Sequence, residues 1–220
     1  YFSGGLDPDR LVSLIRKGTL ERRFVPVLCG AALRNIGIRR LLDAIVNWLP
    51  APEELPPVSG SGDGPKERAR SSEAPFTALV FKIQTDPHLG RLAYLRVYSG
   101  SASDGQAVLN NRTGKKERLM RLVRMHADKR EHLDRVAAGD IAAAGLKDAA
   151  TGDTLTATGS PIVLESIEFA EPVMQMAIEP VGAKDDKLLE EALAEMTSED
   201  PSLRVGVDRD TGQNLIMGMG

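Results

Sequence analysis

The chain has 220 residues, 42% hydrophobic and only 4% aromatic, with a formal net charge of −3. That length predicts two to three folding units, and the near balance of charge excludes a global basic field, so any nucleic-acid contact must be a local patch. The single Cys29 excludes an internal disulfide framework and fits a reducing, cytoplasmic setting, and no apolar run approaches the roughly 20 residues that span a bilayer.

Residues 1–58 read as α/β. Asp7 is placed to cap a helix that has Pro8 at its first position, and Leu11, Leu14 and Ile15 recur at helical spacing before Gly18, a closing signal. Arg23 to Cys29 predicts a short apolar strand, followed by a loop from Gly30 to Gly37. Ile38, Leu41, Leu42, Ile45 and Leu49 trace one face of a second helix, which cannot continue through Pro50 and Pro52. Helix–strand–loop–helix is one crossing of a parallel α/β sheet.

Residues 59–74, rich in Ser, Gly and charge, predict a flexible linker or surface loop. From residue 75 to 170 the period falls to two. Leu79, Phe81 and Ile83 alternate with Val80 and Lys82, and Ala93, Leu95 and Val97 with Tyr94, Arg96 and Tyr98. Turn signals at Ser99-Gly100, Asp104-Gly105, Thr113-Gly114, Gly139-Asp140 and Gly152-Asp153 punctuate short strands, the pattern of an antiparallel β-barrel. Lys115 to Arg124 stays ambiguous, because apolar and basic residues fall on both faces of any strand drawn through it. Residues 171–220 change pattern again. A strand from Val173 to Ile178, a helix with Leu189, Ala192, Leu193 and Met196 as its stripe, and a hairpin turning at Asp210-Thr211-Gly212 make a partial ferredoxin-like β-α-β-β unit. The whole chain reads as multi-domain α+β, a barrel flanked by two incomplete units.

A GTPase needs a P-loop, and no G-x-x-x-x-G-K-[ST] occurs here. Gly114-Lys115-Lys116 lacks the upstream Gly and the following hydroxyl, and reads as a hairpin turn. Gly30, Ala31, Ala32 and Leu33 follow the predicted strand and precede a helix, where backbone N–H groups can read an acceptor on a base. The densest charge is basic: Lys115, Lys116, Arg118, Arg121, Arg124, Lys129 and Arg130 fall within sixteen residues. Such residues neutralise phosphates and position a nucleic acid without reading its sequence, although Glu117, Asp128 and Glu131 could instead make them a solvated strand face. His126 and His132 lack a usual ligand spacing, so no metal site is expected. Asp185-Asp186 fits helix-terminus electrostatics better than acid–base chemistry, and no nucleophile constellation appears, so no catalytic residue is expected.

Several motifs stand in one order. They include Phe81-Lys82-Ile83, Gly90-Arg91-Leu92, Arg96-Val97-Tyr98-Ser99-Gly100, Arg124-Met125-His126, Thr151-Gly152-Asp153-Thr154-Leu155, Ser198-Glu199-Asp200-Pro201-Ser202 and Thr211-Gly212-Gln213. This series resembles the bacterial elongation factor G family of translational GTPases. The resemblance implies a fragment: the end of a GTPase domain in 1–58, the barrel second domain in 75–170 and the first part of the third domain in 171–220. It implies that the parent binds GTP and Mg²⁺ and drives ribosomal translocation of transfer and messenger RNA, while the fragment itself has no cofactor and no GTPase activity. By the same resemblance, Gly30 to Leu33 is a remnant of the guanine-binding loop, with Ala31 replacing a usual Ser. Partners would be small-subunit ribosomal RNA and proteins, with no membrane and a monomeric fragment. Three alternatives share much of this pattern: an elongation factor G paralogue for ribosome recycling, a tetracycline-resistance ribosome-protection protein, and a stand-alone RNA-binding barrel.

Overall fold

The structure, a computed structural model, describes residues 7–220 apart from 63, 65, 87, 128, 181, 183 and 184. It divides into two units, Tyr1–Leu55 and Pro56–Gly220. In the first, α1 (Pro8–Leu20) opens as expected, with the Asp7 carboxylate accepting the Asp9 N–H. Gly18 does not end the helix. It lies inside α1, and an added Cβ would come within 2.2 Å of the Phe24 ring, so the position needs a bare backbone. Arg23 to Cys29 has no regular secondary structure and is no strand. Val25 and Val27 are 85% and 88% exposed, and among the described residues no segment of this unit pairs with them in a sheet. A ladder, not an apolar composition, makes a strand. Helix α2 (Ile38–Trp48) follows, and Arg16 ties α1 to the end of α2 and the chain just beyond it through Asn47 O, Leu49 O and Glu54.

The segment expected as a linker departs from that reading. Strands β1 (Val58–Ser59) and β2 (Glu67–Arg68) pair antiparallel, and Ser61 bridges Val163. Arg68 is only 4% exposed and donates to Thr77 Oγ1 at 2.7 Å and to Ser160 O and Oγ at 3.0 and 2.9 Å. Burial lowers its pKa. A composition of Ser, Gly and charge gave no hint that one of those charges is an internal anchor.

The barrel comprises β3 (Thr77–Asp86), β4 (Gly90–Ser99), β5 (Ser101–Ser103), β6 (Ala107–Asn110), β7 (Lys115–Arg118), β8 (Met120–His126), β9 (Lys129–His132), β10 (Arg135–Ala137), β11 (Ile141–Gly145) and β12 (Thr154–Thr156). Eight of these run in the order β7-β6-β12-β3-β4-β11-β8-β9, and β5 pairs with β10. Strand β7 is at one edge and β8 is next to the other, yet only Leu119 separates them in sequence. The sheet must therefore curl round to meet itself at Leu119. That residue is fully buried, and its backbone exchanges hydrogen bonds with Gly105 and Gln106. One core fills the interior, with Phe76, Val80, Ile83, Leu95, Leu119, Leu122 and Leu155 among its members.

Two irregularities explain where alternation fails. A bulge between Val80 and Lys82 shifts the register of β3, so Ala78 and Val80 point inward, Phe81 faces outward, and Ile83 returns to the core. Arg121, with φ 55°, then resets the ambiguous stretch, leaving Leu122 in the core and Val123 in a second cluster with Leu92 and Ala143. Strand β11 is covered on both faces, which accounts for its run of small residues.

After the barrel come β13 (Met174–Ile178), α3 (Asp186–Glu199), β14 (Arg204–Val207) and β15 (Asn214–Gly218). The sheet order β13-β15-β14, antiparallel at both junctions, makes β13 and β14 parallel with β15 inserted between them, a split β-α-β. Of the expected apolar stripe on α3, only Leu193 is fully buried, and Met174, Met176 and Val207 are exposed on the sheet.

Two outcomes are expected. Arg68→Ala strands the Thr77 and Ser160 acceptors and should lower stability by about 2 kcal/mol in urea denaturation. Amide exchange in β13 should run faster than in the central pair β3 and β4, since β13 has one hydrogen-bonded neighbour and an exposed face.

Candidate nucleic-acid interface

Closure of the barrel at Leu119 leaves a cleft of about 500 Å³ along the seam. Three segments line it: Leu89 to Arg91 around the β3–β4 turn, Lys116 to Arg118 with Met120 and Arg121 across the β7–β8 junction, and Gly145 to Asp148 from the end of β11 onward. Five cations reach this one cleft: Arg91, Lys116, Arg118, Arg121 and Lys147. Arg121 donates to Leu89 O at 2.6 Å, which holds its guanidinium across the cleft. Gly145 makes room for it, since a Cβ there would lie 3.4 Å from Arg121 Nη2 and 3.2 Å from Met120 O.

The seven basic residues expected from sequence are thus divided. Lys116, Arg118 and Arg121 gather in the cleft, and Lys115 is exposed on β7 at the edge of the sheet. Arg124 and Arg130 lie on β8 and β9 and face carboxylates: Arg124 is 3.5 Å from Glu131 and 3.8 Å from Asp140, and Arg130 is 2.6 Å from Asp86. Lys129 is exposed on β9. Asp128, read as a counter-charge, lies outside the described residues. Arg91 and Lys147 escaped the sequence reading because both lie well outside the basic run, one before Lys115 and the other after Arg130. The only available signal was the Gly90-Arg91-Leu92 motif.

A buried polar cluster fixes the wall of the cleft. The Asn110 amide donates to Glu117 Oε1 at 3.1 Å and to Asp153 Oδ2 at 2.8 Å. Glu117 Oε2 accepts the backbone N–H groups of Lys147 and Asp148, both at 3.0 Å, and Asp153 Oδ2 accepts that of Ala150 at 2.8 Å. Arg112 bonds both Asp153 oxygens, at 2.5 and 3.0 Å, and the Asp148 carbonyl at 2.9 Å. Its hydrogen bond to Asp153 raises the Arg112 pKa further. Arg91 completes the wall by donating to the carbonyls of Leu146, Lys147 and Ala149.

Beside the cleft, Asp86 accepts the backbone N–H groups of Leu89 and His88 and pairs with Arg130, which together hold its carboxyl below the usual range. The other candidate lies in the first unit. Ala31 donates its N–H to Ile36 O at 3.0 Å and accepts from Arg34 and Ile36, folding Ala32–Arg34 into one 3₁₀ turn. The leading N–H groups of such a turn have no intrahelical acceptor, and Ala31 provides no side-chain cap. Leu33 is fully exposed. Gly30 is required because a Cβ would lie 2.9 Å from Ile36 O. Among the described residues, no group of three His, Cys, Asp or Glu side chains could hold a metal, and no helix is long and apolar enough to cross a membrane.

A closed antiparallel barrel followed by a split β-α-β module is the architecture of a multidomain factor of the translation-factor type. Residues 75–158 match the family model described as elongation factor G domain 2, and residues 169–220 match elongation factor G domain III. The chain is 50% identical over 219 residues to elongation factor G of Thermotoga maritima, covering 98% of this chain and 32% of that protein. It is 51% identical over 216 residues to the Thermotoga neapolitana elongation factor G, covering 96% and 31%. A crystal structure from Thermus thermophilus superposes with a TM-score of 0.78 at 27% identity, over 98% of this chain and 31% of that one. The chain belongs to the elongation factor G family. It spans about a third of the length of the curated relatives it matches.

Acid should test the Asp86 cap. Its pKa is depressed in the folded state, so its contribution to stability is present above the unfolded value of about 4 and is lost as pH falls through the lower folded value. Asp86→Asn should flatten that part of the stability profile, read by denaturation between neutral pH and pH about 3. Asn110→Ala leaves two buried carboxylates without their shared donor, and should cost about 2–4 kcal/mol and speed amide exchange at Lys147 and Asp148.

Proposed function

We propose that the barrel docks on the phosphate backbone of ribosomal RNA, and that it does so within a longer elongation factor G that couples GTP hydrolysis to movement of transfer and messenger RNA. The gathering of five cations in one cleft carries the docking reading. Arg112 pairs with Asp153, and Asn110 with two backbone N–H groups occupies the Glu117 oxygens, so neither acid takes a cleft cation as its hydrogen-bond partner, and the five cations face two lining carboxylates, Glu117 and Asp148. Lysine and arginine at this density attract phosphates without base readout. Arg124 and Arg130, each facing a carboxylate, contribute less.

In the longer protein, the backbone donors of Ala32 and Leu33 would face the guanine oxygen of GTP, and Mg²⁺ would be held elsewhere. This chain contains no P-loop, so its own residues supply docking surface and not phosphoryl-transfer chemistry. The module acts in the cytoplasm as a monomer until it meets the ribosome.

Fluorescence anisotropy with a ribosomal RNA hairpin should give an affinity that falls steeply with salt, and Lys116→Ala should lower the slope by about 1. An affinity indifferent to salt, or unchanged in Lys116→Ala and Arg118→Ala, overturns the docking reading. Ribosome-stimulated GTP hydrolysis should appear in a full-length elongation factor G carrying these domains and be absent from this chain. Hydrolysis by this chain overturns the assignment of its role.

A further inference from the structure

We propose that phosphate in the cleft and the end of helix α3 compete for one edge of the Arg91 guanidinium, so that RNA docking loosens the third domain from the barrel. The inference rests on the docking reading above. The last turn of α3 has no basic residue, and Glu199 adds negative charge where the dipole is already negative. Compensation comes from the barrel. Arg91 approaches Ser198, and the Glu199 carboxylate accepts the backbone N–H of Thr85. Thr85 and Arg91 are register partners in the β3–β4 hairpin, so a single pair of residues grips two consecutive residues of α3.

The grip is uneven. Arg91 Nη1 is held by Leu146 O and Lys147 O, and Nη2 also by Ala149 O, so the guanidinium is anchored to the cleft wall whatever α3 does. Ser198 Oγ takes the remaining edge, at 3.4 Å from Nε and 3.3 Å from Nη2. Those distances are long for hydrogen bonds, and the acceptor is neutral. The Nε–Nη2 edge is also one that phosphate oxygens occupy in bidentate, charge-assisted bonds, which are roughly twice as strong as neutral ones. Arg91 lines the same cleft as Lys116, Arg118, Arg121 and Lys147. A phosphate drawn in by those four cations meets a guanidinium whose weakest partner is Ser198. Loss of that contact leaves the Glu199–Thr85 bond as the hydrogen bond between this end of α3 and the β3–β4 hairpin among the described residues, with uncompensated negative charge at the helix terminus.

The Thr85 amide reports the outcome directly, because its exchange protection depends on Glu199 staying in place, while the Val80 amide, bonded at 2.9 Å to Asp153 O within the barrel, serves as the reference. With the chain saturated by a ribosomal RNA hairpin, exchange at Thr85 should rise about fivefold or more while Val80 is unchanged. Ser198→Ala, a change at a half-buried helix end, should by reciprocity tighten RNA binding, by up to about fivefold. RNA that binds while Thr85 exchange stays constant overturns the competition and leaves the docking reading standing. Failure of the hairpin to bind removes both.

Discussion

The loop from Leu146 to Ala150 has no regular structure, and its backbone must find partners or bear the cost of desolvation. Four side chains provide them. Glu117 and Asp153 take the N–H groups of residues 147, 148 and 150, while Arg91 and Arg112 cover the carbonyls of residues 146 to 149. Asn110 ties the two acids together from the floor of the barrel. The loop thus acquires a fixed shape from charges that lie far apart in sequence, and the cleft has a rigid wall because of it. Acids and bases that would otherwise cancel across the surface are instead used on backbone groups, which leaves the lysines of the seam free to face outward.

Curvature is the second requirement, and the barrel obtains it by breaking strand regularity at a few points. The bulge at Phe81 and the positive φ at Arg121 change which side chains look inward. Between them, the run of alanines and Gly145 in β11 lets its two neighbours approach closely and lets the Arg121 head cross the strand. The third domain is built with less redundancy. Its sheet has three strands, its helix buries one leucine of its apolar stripe, and the end of that helix is hydrogen-bonded to the barrel through Ser198 and Glu199.

Much of this architecture was legible in the sequence, and the misses have physical causes. Period-two runs and glycine turns announced an antiparallel barrel, and the β-α-β-β order was readable from a strand, one apolar stripe and a hairpin. Arg23 to Cys29 failed as a strand because periodicity reports side chains, whereas a ladder needs a neighbour. Gly18 looked like a terminator, but its smallness serves the Phe24 ring. The segment after residue 58 looked like solvent-loving linker, because composition cannot tell a buried arginine from an exposed one. The basic run was read as one patch, yet strand pairing sends part of it into ion pairs and brings in Arg91 and Lys147 from elsewhere in the chain. A linear window cannot see a seam made by curling a sheet.

Trp48, the only tryptophan, lies at the end of α2 in the first unit, among Phe24, Leu28, Ile45 and Leu49. Of the three tyrosines, Tyr94 and Tyr98 both lie on β4 in the barrel. Indole emission therefore follows melting of the helical unit. Phenol absorbance, dominated by the β4 pair, carries the complementary record. The molecule contains its own optical reporters, one kind weighted to each compact unit, with no label added.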